Sequence, residues 1–151
     1  MAEIVDRDVV LKMLRGFTPL QRVLLATAGT LQGTLSAFFG TPVTIGLVHQ
    51  DEIDGRIVRE VDLVCAATTI AVGHAMTEAQ VTDPDIRRLL LEGEMGLGQI
   101  SALLGTPVSF ALDEAGRQPR AFWRVYRLWG EGFSYRIREV FPESLYLGEP
   151  A

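Results

Sequence analysis

The sequence predicts an α+β fold in which helices pack on one side of an antiparallel sheet of about six strands. Helical and strand-like segments come in blocks, in the order helices, strands, two helices, strands, rather than in βαβ alternation. The strand-like segments alternate apolar and polar residues with a period of two. The last two of them flank a Gly-X-Gly turn at 130–132, which is typical of a β-hairpin.

Three helices are predicted in the first 40 residues from their capping residues and apolar spacing. The first extends from a cap at Asp6 to about Arg15, the second from Thr18-Pro19 to a break at 28–30, and the third from Leu31 to Gly40. Three strands follow at 42–50, 56–65 and 70–76, with a turn at 53–55 between the first two.

Two further helices separate these strands from the last three. The first is capped by Thr82 or Asp83 and ended by Gly93, and a short helix at 97–104 follows it. The remaining strands are predicted at 107–112, 121–129 and 133–141. The repeated GTPV sequence, at 40–43 and 105–108, predicts that a glycine ends a helix and a strand starts after the proline.

Length and composition fit one domain spanning 1–151. The net charge of −5 disfavours nucleic acid as a partner, because phosphate binding requires a basic surface. The single cysteine, Cys65, leaves no internal disulfide, and the first ten residues do not form a secretory signal. The apolar runs are too short to span a membrane, so we expect a cytoplasmic protein, either monomeric or homodimeric.

Three predicted strands place a polar residue on an otherwise apolar face, since side chains alternate between the two faces of a strand. In 56–65, Arg59 shares its face with Ile57, Val61, Leu63 and Cys65. In 133–141, Glu139 shares its face with Phe133, Tyr135, Ile137 and Phe141. In 70–76, His74 shares its face with Ile70, Val72 and Met76.

A buried charge is costly unless it is paired or bound to something. Arg59 and Glu139 therefore form a structural salt bridge, or lie at a wet sheet edge, or face a pocket for a small, mostly apolar anion. In the third case, Arg59 binds a carboxylate through its bidentate fork and Glu139 meets a hydroxyl or ether oxygen at the far end. His74 alone also fits a hydrogen-bonded core histidine.

The sequence lacks the motifs of several common enzyme classes. GxGxxG, P-loop, GxSxG and HExxH patterns are all missing. His49 and His74 do not have the spacing of metal ligands relative to the scattered acidic residues. We therefore expect neither a metal nor an organic cofactor.

Five segments occur in an order and at a spacing that are specific only when taken together. They are Ala28-Gly29-Thr30-Leu31, Arg59-Glu60-Val61, Gly73-His74-Ala75-Met76-Thr77, Gly96-Leu97-Gly98 and Arg138-Glu139-Val140-Phe141-Pro142, the last followed by Leu145-Tyr146. From about Leu20 to Tyr146 this arrangement resembles the chorismate lyase family, whose members release pyruvate from chorismate to form 4-hydroxybenzoate.

The resemblance implies a chorismate lyase-like fold, a small-molecule carboxylate as substrate, and no cofactor. By this resemblance Arg59 binds the substrate carboxylate, and Glu139 hydrogen-bonds or protonates the ether oxygen that leaves. His74 takes the place of the family's second arginine, which makes a changed substrate plausible. The predicted catalytic residues are Arg59, Glu139 and His74, and the predicted substrate contacts are Leu31, Gly73, Met76, Leu97 and Tyr135.

Two alternatives to a chorismate lyase stay open at this stage. The first is a lyase, dehydratase or cyclase of the same fold that acts on another carboxylate or a polyketide-like intermediate in specialised metabolism. His74 is the residue that favours it. The second is a non-catalytic module that binds a small molecule.

Overall fold

A computed structural model describes residues 2–4, 7–29 and 31–147 of the chain. The strands are β1 (Ala2–Ile4), β2 (Val43–Ile53), β3 (Arg56–Cys65), β4 (Ile70–Val81), β5 (Val108–Gln118), β6 (Ala121–Gly130) and β7 (Phe133–Pro142). The helices are α1 (Arg7–Met13), α2 (Pro19–Ala26), α3 (Leu31–Phe39), α4 (Pro84–Glu92) and α5 (Leu97–Leu104), with a 3₁₀ turn at Glu143–Leu145.

Within the described residues, the strands form one sheet in the order β1-β5-β6-β7-β4-β3-β2. Two antiparallel meanders, β2-β3-β4 and β5-β6-β7, meet where β4 pairs with β7. The short β1 adds to the edge, parallel to β5, and was not predicted because three residues are too few to show alternation. The predicted helix cap at Asp6 lies outside the described residues.

The helices pack on one face of this sheet, as predicted. Their buried apolar side chains belong to the same hydrophobic cluster as the inward residues of the strands. These helix residues are Val10, Leu24, Leu25, Leu31, Leu35, Ile86, Leu89, Leu90 and Ile100. On the other face, Arg127, Arg136 and Arg138 are exposed. The fold is therefore α+β with a one-sided helical layer.

Local signals determine where the two central helices begin and end. The Asp83 carboxylate caps α4 by accepting hydrogen bonds from two backbone N–H groups of its first turn. Gly93 and Gly105 end α4 and α5 in the left-handed conformation, with φ of 75° and 66°. The connection at 93–96 is consequently short, and it brings the first turn of α5 over the sheet.

A β-bulge in β4 changes which residues face the helices. β4 pairs regularly with β3 as far as Gly73 and Leu63, and beyond that pair the register shifts by one residue. Val72 and Gly73 are consecutive and both buried, so the alternation that holds before the bulge is inverted after it. His74 and Met76 therefore point away from the helices, and the prediction that they share the inward face is wrong.

Candidate functional site

A partly enclosed cavity of about 250 Å³ lies between the inward face of the sheet and the helices. The first turns of α3 and α5 cover it, and β3, β4, β6 and β7 form its floor. Most of its lining is apolar, with Leu31 and Leu97 on the covering helices. Pockets for drug-sized ligands run to roughly 300–1,000 Å³, so this cavity suits a molecule of about one ring.

Arg59 and Glu139 are the two charged side chains among the described residues that line the cavity. Both are buried, with exposed fractions of 2% and 5%. On β4, Thr77 pairs with Arg59, whereas Ala75 pairs with Glu139. The two Cα atoms are thus two strands and two residues apart, on the order of 12 Å from the strand spacing and rise. Both residues therefore lie on the floor of the cavity, on the strands either side of β4.

The two charges are not joined to each other. Among the described residues, the ion pair of Glu139 is with Arg124, and the hydrogen bond of Arg59 goes to a backbone carbonyl. The salt-bridge interpretation of Arg59 and Glu139 is therefore wrong. Their burial also makes the wet-edge interpretation wrong.

Arg59 reaches toward the start of α5. Its Nη2 donates a 2.6 Å hydrogen bond to the carbonyl of Met95, while its Nε and Nη1 are buried and have no partner among residues 2–4, 7–29 and 31–147. Leu97 and Gly98 begin the helix and line the cavity, and backbone N–H groups in a first turn have no intrahelical acceptor. Burial lowers the pKa of Arg59, with Tyr135 acting in the opposite sense. Because an arginine stays cationic even when its pKa is lowered, Arg59 and the first turn of α5 both offer N–H donors suited to an anion.

Glu139 is held by two residues of β6. Its Oε1 accepts a 2.7 Å hydrogen bond from Nε of Arg124, and its Oε2 accepts one of 2.7 Å from the Tyr126 hydroxyl. Arg124 is fully buried, and its guanidinium lies 4.1 Å from the centre of the Tyr126 ring. Because Arg124 neutralises Glu139 inside the protein, Arg59 keeps its charge available for a ligand.

Arg124 and Tyr126 are not among the site residues predicted from the sequence, although their strand carries a usable signal. Alternation in 121–129 places Phe122, Arg124, Tyr126 and Leu128 on one face, and all four are buried. Arg124 is the single charged residue of that face, as Arg59 and Glu139 are of theirs. The Gly-X-Gly turn at 130–132 predicts only that this strand is one arm of a β-hairpin.

The structure brings together half of the predicted site residues. Leu31, Arg59, Leu97 and Glu139 line the cavity. Gly73 and Tyr135 are buried but do not line it, although the charge of Arg59 acts on the Tyr135 hydroxyl. His74 and Met76 lie on the opposite face of the sheet because the bulge in β4 inverts the alternation of its side chains. A Cβ on Gly73 would approach Cδ1 of Leu63 to 3.0 Å, so this glycine allows close packing of the floor.

His74 forms a pair on the outer face of the sheet. Its Nε2 lies 2.6 Å from Oε2 of Glu60, and the two side chains are 37% and 32% exposed. We expect His74→Ala to leave ligand affinity and turnover within about twofold of wild type, as is usual for surface substitutions. Titration of ligand binding and steady-state kinetics check this. A tenfold loss of ligand affinity or of turnover would show that His74 belongs to the functional site.

The burial of the tyrosines determines how the stability of the protein depends on pH in the alkaline range. All three in the chain are buried, and burial raises the pKa of Tyr135 to about 12 and that of Tyr126 and Tyr146 above the ordinary value. Unfolded tyrosines ionise near pH 10, so this contribution to stability is complete below about pH 10 and is lost as pH rises through the folded pKa values.

We therefore expect tyrosinate absorbance to appear together with unfolding. The measurement is an alkaline titration that follows near-ultraviolet absorbance and circular dichroism on the same samples. Tyrosinate forming near pH 10 while the dichroism signal stays native would contradict the burial of these hydroxyls.

No family model matches this chain, and no curated protein matches its sequence. None of the helices in the described residues has both the length and the apolar character needed to cross a bilayer. Function therefore has to be inferred from the cavity and the residues around it.

Proposed function

We propose that this protein is a cofactor-independent lyase of the chorismate lyase type, which eliminates pyruvate from chorismate to give 4-hydroxybenzoate or a related hydroxybenzoate. One observation carries the proposal. Arg59 and Glu139 face the same apolar cavity from different strands, and Glu139 is paired with Arg124, whereas two nitrogens of Arg59 have no partner within the described residues. A buried guanidinium with unsatisfied N–H groups is costly, and a ligand carboxylate would satisfy them.

The lining supports a single-ring carboxylic acid as the ligand. Arg59 would hold the carboxylate, and Leu97 and Gly98, which line the same cavity in the first turn of α5, would add backbone N–H donors to it. Leu31 and Val61 supply apolar contacts for the ring. Glu139, two strands away, would meet an oxygen on the opposite side of the ring.

The chemistry balances without a cofactor. The bond between the ring carbon and the oxygen of the enolpyruvyl side chain breaks, and its electron pair leaves with the oxygen. The adjacent ring carbon loses a proton, and the electrons of that C–H bond complete the aromatic ring. Enolpyruvate takes up one proton and becomes pyruvate. The protein's contribution is to position the substrate and to stabilise charge in a partly enclosed, mostly apolar cavity.

A second candidate is favoured by the charges of the lining. Chorismate has two carboxylates, whereas Arg59 is the one cationic side chain among the described residues that line the cavity. His74, in the place of the family's second arginine, lies on the outer face. A lyase, dehydratase or cyclase acting on a monocarboxylate would need only Arg59.

Incubation of the purified protein with chorismate tests the first proposal. Equal amounts of pyruvate and 4-hydroxybenzoate, formed well above the rate without protein, support it. A thermal-shift panel of chorismate, 4-hydroxybenzoate and apolar monocarboxylic acids separates the alternatives, because a bound ligand stabilises the folded state. Stabilisation by hydroxybenzoate without turnover would favour a binding module, and stabilisation only by other acids would favour the second candidate. Silence toward chorismate in both assays would refute the first proposal.

A further inference from the structure

Arg124 lies at the centre of a buried network that the reaction above does not use. Its side chain is fully buried and does not line the cavity. Nε donates to Oε1 of Glu139, and Nη1 donates to the carbonyl oxygens of Leu25 and Thr27 at 3.0 and 2.7 Å. One guanidinium therefore links a cavity carboxylate to the end of a helix.

The backbone that Arg124 holds leads directly into the cavity wall. Leu25 belongs to the last turn of α2, and Thr27 follows it. Two residues later, Gly29 lines the cavity, and so does Leu31 at the start of α3. Arg124 thus bridges Glu139 on one side and the segment between α2 and α3 on the other.

The network also constrains how Glu139 can act. One carboxylate oxygen accepts from a cation and the other from the Tyr126 hydroxyl. Burial, and next the charge of Glu139, raise the pKa of Tyr126 well above its ordinary value, so this hydroxyl is a neutral donor. With both oxygens accepting, Glu139 has the hydrogen-bond pattern of an ionised carboxylate.

We propose that Arg124 is a positioning residue, which holds Glu139 as an ionised hydrogen-bond acceptor directed into the cavity and ties it to the wall between α2 and α3. Glu139 then accepts a hydrogen bond from a ligand hydroxyl, and it is not the acid that the sequence suggests. This inference rests on the proposed function only in requiring a hydroxylated ring acid as ligand.

The test is a double-mutant cycle read out by ligand preference. The variants are Arg124→Met, Glu139→Gln and the double variant, and the ligands are 4-hydroxybenzoate and benzoate, which differ by the hydroxyl alone. Wild type should prefer 4-hydroxybenzoate by about 10- to 100-fold, the usual effect of a hydrogen bond to a charged group. Arg124→Met should lose most of this preference, while benzoate affinity, which depends on Arg59, changes less than about threefold.

Non-additivity distinguishes positioning from general structural support. If Arg124 acts through Glu139, Arg124→Met should change the preference no further once Glu139→Gln is present. Losses that add, or that fall equally on both ligands, would overturn the proposal. Arg127→Met is the matched control, since Arg127 is an exposed arginine of the same strand that pairs with Asp113. It should leave the preference unchanged.

A second measurement tests the proposal without a ligand, so it applies if Arg124→Met fails to fold or if the protein binds neither acid. The infrared difference between wild type and Glu139→Gln should show the stretching band of an ionised carboxylate. Arg124→Lys, which keeps a cation but cannot reproduce the fork of bonds, should shift that band. A protonated carbonyl band in wild type, or no shift in Arg124→Lys, would overturn the proposal. If the protein does not turn over chorismate, the proposed lyase activity is refuted, but the ligand preference and the infrared band still test the role of Arg124.

Discussion

Replacing Arg59 by methionine is expected to reduce affinity for 4-hydroxybenzoate by about 100-fold or more, because charge-assisted bonds to a carboxylate are among the strongest hydrogen bonds in proteins. Two of the guanidinium nitrogens have no partner in the part of the chain that the structure describes, so a ligand carboxylate would supply the missing acceptors. The same fact predicts the effect on folding. Removing a buried cation with unsatisfied donors should leave the free energy of unfolding unchanged or raise it.

The two effects are measured separately, by calorimetric titration with the ligand and by denaturant unfolding without it. Arg56→Met is the matched control, because Arg56 lies on the same strand, is 55% exposed and makes only a 3.9 Å contact with Glu78. It should bind like wild type. Affinity of Arg59→Met within about threefold of wild type would show that the carboxylate is bound elsewhere.

Glu139→Gln is expected to lower kcat about 10²- to 10³-fold, the range usual for loss of a preorganised electrostatic partner of the reacting group, with a smaller change in KM. Glutamine keeps the shape of the side chain and an oxygen that can accept from Arg124 or Tyr126, but it removes the charge. Arg124 is then left as an uncompensated buried cation, so stability should fall by about 3–5 kcal/mol.

Steady-state kinetics with chorismate, well below the melting temperature of the variant, measure the first effect, and denaturant unfolding measures the second. Glu78→Gln is the control, since Glu78 is an exposed acid on the neighbouring strand β4. Its kcat and stability should match those of wild type. If Glu139→Gln turns over chorismate within about threefold of wild type, Glu139 is not part of the chemistry.

The sheet and the two opposed charges could be predicted because they depend on short-range periodicity. The segments 56–65 and 133–141 are regular strands, so counting by two places Arg59 and Glu139 on the buried face without knowledge of their neighbours. Helix ends were predictable for a similar reason. Asp83 and Gly93 act through bonds to their own chain neighbours.

Features that depend on partners from other strands could not be obtained in this way. The bulge at Val72 inverts the faces of β4, and the glycine that follows it was the one local hint. The contact between Arg59 and Met95 depends on how a loop 36 residues away crosses the sheet. That Glu139 pairs with Arg124 and not with Arg59 follows from the β6–β7 register, which brings Arg124 opposite Glu139.

The bulge also bears on how the specificity of such a cavity changes. Ala75 and Thr77 face the ligand space because Val72 and Gly73 share the inward side at the bulge, whereas a β4 of the same sequence that alternated regularly from Ile70 would present His74 and Met76. The presence or absence of a bulge is thus enough to change which side chains line a pocket wall, with no substitution in that wall. In an engineered protein meant to bind a dianion, an arginine introduced at position 75 would face the cavity, whereas one introduced at position 74 would lie on the outer face of the sheet.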